Sequence, residues 1–240
     1  MNVWVTPKGY TDPGTITPTV LGTQGRSYDA VGLALNESGT EAYFELVDKT
    51  GDTATIQACV ITDRATCRTL ASARPSAAGD DVAYDSGHLY WTEAVNGRIV
   101  RRKMSDSSIS YVATGQSGPV LLDVYGGYLY WADRIGTAQY AIKRSAQPNL
   151  GPNDPQAVVM GTLAGSINAL AAANNIYFAG LFGNQVKVGY AVAGDGGPAK
   201  MLATGVNSDA VPAGNLEAHS AIVFFYYPDD KTIRAMVDPR

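Results

Sequence analysis

The chain is poor in the residues that carry most enzyme chemistry. It has two histidines and two cysteines in 240 residues, and only 17% of its side chains are charged. His88 and His219 lie in no H-E-x-x-H pattern, and no G-x-S-x-G elbow occurs, so the common zinc-hydrolase and serine-nucleophile signatures are missing. Both histidines are expected in turns at one end of the fold, far from any catalytic role. No D-x-D-x-D-G loop is present, and the sequence implies no metal or other cofactor. Long apolar runs are missing too. The longest, residues 222–227, is far too short to cross a bilayer, so no transmembrane segment is expected. The opening residues, Met1 to Pro7, lack the basic and apolar regions of a signal peptide, so a leader is expected to be absent from this chain. Nor is there an excess of positive charge: the formal net charge is −4, which argues against nucleic acid as a partner. No stretch shows the periodicity of a long amphipathic helix.

What remains is material for a packed all-β fold. Hydrophobic residues make up 45% and aromatics 9%, enough to exclude disorder. Twenty-six glycines and twelve prolines suit many short elements joined by turns. An internal repeat gives these elements an order. Aromatic doublets recur at Tyr43-Phe44, Tyr90-Trp91, Tyr130-Trp131, Tyr177-Phe178 and Phe224-Phe225, spaced by 47, 40, 47 and 47 residues. Each sits in a β-prone run, with a shorter apolar run before it and two more after it. Four short strands per repeat of this length predict the blade of a β-propeller. The whole chain, 1–240, reads as one propeller domain. Its repeats run approximately 29–75, 80–117, 118–165, 166–207 and 208–240, the last completed by 16–25. Residues 1–15 are expected as an N-terminal arm. Five blades are favoured, with the ring closed by strands from both termini. Trp4, 40 residues before Phe44, keeps six blades open.

Two repeats carry a more specific pattern. Leu89-Tyr90-Trp91-Thr92-Glu93, followed by Asn96-Gly97-Arg98-Ile99, and Leu129-Tyr130-Trp131-Ala132-Asp133 resemble the YWTD-type propeller repeat of low-density-lipoprotein receptors. Pro7-Lys8-Gly9 and Thr17-Pro18-Thr19-Val20-Leu21 are similar to related repeats of secreted bacterial proteins. In that family the motif is structural, so the resemblance implies fold more than activity.

Each candidate for chemistry has a plain alternative. A hairpin centred on Asp63 places Cys59 opposite Cys67, within reach of a disulfide, though two inert thiols or a metal or redox pair stay open. The related bacterial repeats often carry a cysteine pair here, and a disulfide would imply an extracellular or periplasmic location. The doublets could form a sugar-stacking platform, but alternation sends their rings to opposite faces of a blade, which suits core packing better. The same alternation splits Arg101-Arg102-Lys103 between two faces of an outer strand.

Carboxylates are the more promising group. The turns at one end of the repeats gather ten acidic against six basic residues, so an acidic face is expected around the axis. Ordinary turn chemistry accounts for many of them. The candidate binding residues are Tyr28, Asp29, Asp81, Glu93, Asp133, Arg134 and Asp209, with no catalytic or metal-binding residue among them. Asp133 is a binding residue only if its side chain is not locked into internal hydrogen bonds. The sequence thus favours a non-catalytic recognition or scaffold propeller that binds a protein or glycan through the axial loop face. A lyase or hydrolase at the axial mouth and a self-assembling subunit are the alternatives.

Overall fold

A computed structural model describes residues 2–5, 19–23, 28–48, 53–61, 67–75, 80–146, 158–182, 185–192, 200–207, 216–219, 222–227 and 232–237. Every regular element among them is a strand. β1 (Asn2–Val5) and β2 (Thr19–Thr23) pair with each other. The first four-stranded sheet is β3 (Tyr28–Leu35), β4 (Glu41–Asp48), β5 (Thr53–Val60) and β6 (Cys67–Pro75). The second is β7 (Val82–Asp85), β8 (His88–Glu93), β9 (Arg98–Lys103) and β10 (Ile109–Ala113). The third is β11 (Pro119–Tyr125), β12 (Tyr128–Gly136), β13 (Gln139–Ala146) and β14 (Val158–Ala164). The fourth is β15 (Ser166–Ala172), β16 (Asn175–Phe182), β17 (Gln185–Val192) and β18 (Lys200–Asn207). A three-stranded sheet follows, made of β19 (Leu216–His219), β20 (Ile222–Tyr227) and β21 (Thr232–Val237).

Each sheet is an antiparallel meander in chain order, with its first strand on one edge. Those first strands, β3, β7, β11, β15 and β19, line one cavity of about 650 Å³. Blades arranged around a channel walled by their innermost strands make a β-propeller. Three inner strands carry a bulge at the same place, between Val31 and Ala34, Val120 and Leu122, and Ile167 and Ala169. Bulges bend a strand and increase its twist, which suits strands that curve past a common axis.

The doublets explain why neighbouring blades adhere. All five lie on second strands, and successive side chains point to opposite faces. One ring of each described doublet therefore enters the seam ahead and the other the seam behind. Tyr43 shares a buried cluster with Trp91, Tyr90 with Trp131, and Tyr130 with Phe178. Burial of each such ring contributes about 1.5–3 kcal/mol. Core packing is thus their role.

The short turns suit their residues. Gly126 and Gly127 join β11 to β12 with φ of +60° and +79°, the left-handed pair that a two-residue hairpin needs and that glycine adopts without a steric penalty. Cys59 lies directly opposite Cys67 in the β5–β6 ladder, and the two form a disulfide.

The termini depart from expectation. Asn2–Val5, expected within an arm, is a strand, and Thr19–Thr23 pairs with it rather than with the last sheet. Among the described residues, no ladder joins β2 to β21.

Candidate functional site

The axial loop face is built where second strands turn into third strands and where the chain enters each new inner strand. Glu93 ends β8 on this face and is 4% exposed. Its carboxylate accepts hydrogen bonds from Trp91 Nε1 (3.1 Å), Asn96 Nδ2 (2.8 Å) and Arg98 Nε (2.6 Å). Burial works against its charge, but these three bonds outweigh it and hold the carboxyl below the usual range. Arg98 in turn lies 4.8 Å from the Tyr111 ring centre. Glu93 thus closes its own turn.

Asp133 is the equivalent residue of the next blade and is fully buried. Its shorter side chain reaches different partners: Gly118 N (2.8 Å), Ser117 N (3.4 Å) and Lys143 Nζ (2.6 Å). Lys143 Nζ also donates to Gln116 Oε1 at 2.9 Å. Asp133 therefore ties the incoming loop at 116–118 to its own blade. Asp80 acts similarly, accepting from Ala94 N at 3.1 Å.

Asp81 belongs to the channel wall rather than the rim. One carboxylate oxygen accepts from Val82 N (2.9 Å), and the other reaches across to Leu122 N in the next blade (3.0 Å). Asp123 repeats the device one blade on, with Val124 N and Ala172 N each at 2.7 Å. Inner strands of adjacent blades share no ladder, so these aspartates satisfy edge amides that would otherwise lie unpaired in the wall. Burial of the Asp81 carboxyl, opposed by its two amide bonds and reinforced by Asp123 and Asp80, pushes its pKa up to about 7.

Of the remaining expected residues, Arg134 is exposed on the loop face. Tyr28 and Asp29 begin β3, opposite Asp48 and Val47, and are placed by their backbone alone. Asp209 lies outside the described residues. His88 starts β8, at the end opposite the loop face, with Nδ1 2.9 Å from Ser86 O. His219 closes β19, opposite Ile222. Among the described residues, no group of three or more His, Cys, Asp or Glu side chains is placed to hold a metal ion.

Two residues of this face escaped sequence reasoning. Val95 and Ile135 each stand two positions after the acidic residue of their blade, and they are 57% and 38% exposed. Their equivalence in the repeat was the available signal, but an apolar residue beside a strand reads as core. With Arg134 they give the rim an apolar and cationic surface, resting on carboxylates already engaged inside. A second concavity of about 330 Å³ lies beside it, between Pro75 and Ala71 of one blade and Arg98, Ile109 and Tyr111 of the next.

No family model matches the sequence, and no curated protein matches it. Solved structures do match. A chain from the crystal structure of a nidogen/laminin complex has 15% identity and a TM-score of 0.68, covering 94% of this chain and 83% of its own. TolB from Acinetobacter baumannii, at 13% identity and a TM-score of 0.56, covers 73% of this chain and 43% of its own. A chain of a mitotic checkpoint complex, at 12% identity and a TM-score of 0.59, covers 100% of this chain and 85% of its own. At such low identity these likenesses concern architecture, and that architecture is the β-propeller.

Proposed function

We propose that this chain is a non-catalytic recognition propeller of the YWTD type, acting in an extracellular or periplasmic setting, which binds a partner through its axial loop face. The candidate residues Tyr28, Asp29, Asp81, Glu93, Asp133, Arg134 and Asp209 divide by role. Glu93 and Asp133 shape the turns, Asp81 holds the inner wall, and Arg134 is available for contact. The observation that carries the reading is the exposure of Val95 and Ile135 at equivalent positions of two successive blades, with Arg134 exposed next to Ile135 in the chain. Apolar anchors with an arginine among polar neighbours are the composition of a protein-binding hot spot, so a protein is favoured over a glycan here. The likeness to a chain of a nidogen/laminin complex agrees with such a role. The Cys59–Cys67 bond suits an oxidising compartment.

Site-specific photocrosslinking tests this reading. A photoreactive side chain at 95, 134 or 135 should yield a partner adduct, whereas one at Lys103 on the third strand should not. Arg134→Ala should weaken partner affinity without lowering the melting temperature. Adducts from outer strands alone would favour assembly through blade edges instead.

A further inference from the structure

The opposite end of the propeller carries a feature that the repeat does not explain. The seam-packing rings recur from blade to blade, as Tyr43, Tyr90, Tyr130 and Tyr177 do on the second strands. Tyr125 and Tyr128 do not recur: their counterparts flanking the same turn in the second blade are Asp85 and His88. The two tyrosines are direct partners across the Gly126–Gly127 turn, so they share one face of the hairpin tip. They are 40% and 39% exposed. A Cβ added at Gly126 or Gly127 would meet nothing within 4 Å, so the approach to the tip is open.

Polar groups are fixed around this pair. The Arg144 guanidinium carbon lies 5.0 Å from the Tyr128 ring centre, and Arg144 stands directly opposite Tyr130 in the β12–β13 ladder. The Tyr125 hydroxyl donates to Asn174 Oδ1 of the next blade at 2.8 Å, which orients that amide beside the rings. Flat ring faces suit the C–H face of a pyranose, an amide suits its hydroxyls, and a positioned guanidinium suits a carboxylate in bidentate geometry.

We propose that Tyr125, Tyr128, Arg144 and Asn174 form a binding site for an acidic saccharide, a pyranose bearing a carboxylate. The site lies at the far end of the blades from the axial loop face and does not depend on the function proposed for that face. Calorimetric titration of the full chain with trigalacturonate, with its methyl ester and with hexaglutamate tests it. Trigalacturonate should bind, the ester should bind more weakly by about tenfold, and hexaglutamate should not bind. Tyr128→Ala and Arg144→Met should each weaken trigalacturonate binding by about tenfold, with Arg144→Lys as the variant that keeps the charge but loses the fork. Melting curves of the same variants separate lost recognition from lost fold, and Arg134→Ala should bind the saccharide as the wild type does. The proposal is overturned if trigalacturonate fails to bind at millimolar concentration or if the ester binds equally. Unchanged affinity in correctly folded Tyr128→Ala and Arg144→Met overturns it as well, as does binding of hexaglutamate in place of the saccharide.

Discussion

Replacing Asp133 by alanine separates a rim residue that builds the face from one that meets a partner. The side chain is fully buried and accepts from Gly118 N at 2.8 Å and from Lys143 Nζ at 2.6 Å. Without it, the buried Gly118 amide loses its acceptor, at a cost of about 1–3 kcal/mol. Lys143 keeps Gln116 Oε1 and has a side chain 17% exposed, so its loss is smaller than that of a fully enclosed ion. About 3–5 kcal/mol in all is expected, which lowers the melting temperature of a domain this size by roughly 6–20 °C. Asp133→Asn retains an acceptor for Gly118 and should cost less. In a Lys143→Met background the alanine substitution should cost about 1–2 kcal/mol less than in the wild type, since no ammonium is then left unpaired. Chemical denaturation of the four proteins of this cycle supplies the numbers. An unfolding midpoint for Asp133→Ala within error of the wild type, combined with lost partner affinity, would refute the internal role.

Asp81 gives a pH dependence of definite sign. Its pKa of about 7 in the folded chain lies above the ordinary 3.8, so its contribution to stability is fully present below about pH 4 and is lost as the pH rises through 7. Asp81→Asn gives up one of the two amide acceptors but carries no charge to bury, so the stability difference should shift in favour of the variant as the pH rises from 5 to 8; a constant difference in melting temperature would contradict this. Gly32 has φ +60°, and a Cβ there would stand 2.6 Å from Asp81 Oδ1 and 2.8 Å from Val82 N. Gly32→Ala should cost about 2–4 kcal/mol by denaturant titration, and a neutral result would mean that the first inner strand does not press on Asp81. Thiol titration of denatured, unreduced protein should find no free cysteine, and reduction should cost at most about 2–3 kcal/mol because the bond closes a short loop.

Much of the architecture was legible because the doublets serve two seams at once and so recur at near-constant spacing. The cysteine hairpin was legible for a similar reason: two strands and a tight turn leave little freedom in which residues face each other. The ends were harder. Asn2–Val5 and Thr19–Thr23 match the pattern of third and fourth strands, but pairing between segments so far apart is decided by tertiary contacts. At the loop face, the identities of Glu93 and Asp133 could be read from the motif, whereas their burial could not. A carboxylate in a turn looks alike in sequence whether its oxygens meet water or three donors. Val95 and Ile135 carry no mark in sequence, because an apolar residue near a strand end looks the same whether it is covered or exposed.

The aspartate bridges give the row of blades an uneven set of fasteners. Asp81 links the second blade to the third and Asp123 the third to the fourth, each by one bond across the seam. The residue opposite Tyr177, in the place Asp123 takes opposite Tyr130, is Ala171, which has only a methyl group. The following seam is packed by Ala171, Ala173, Tyr177, Tyr190 and Leu216. Blades fastened in this way come apart in sequence rather than all at once. Amides of the last sheet should exchange with deuterium before those of Leu122 and Ala172, and the chain should open from its C-terminal blade like a clasp whose final hook was left plain.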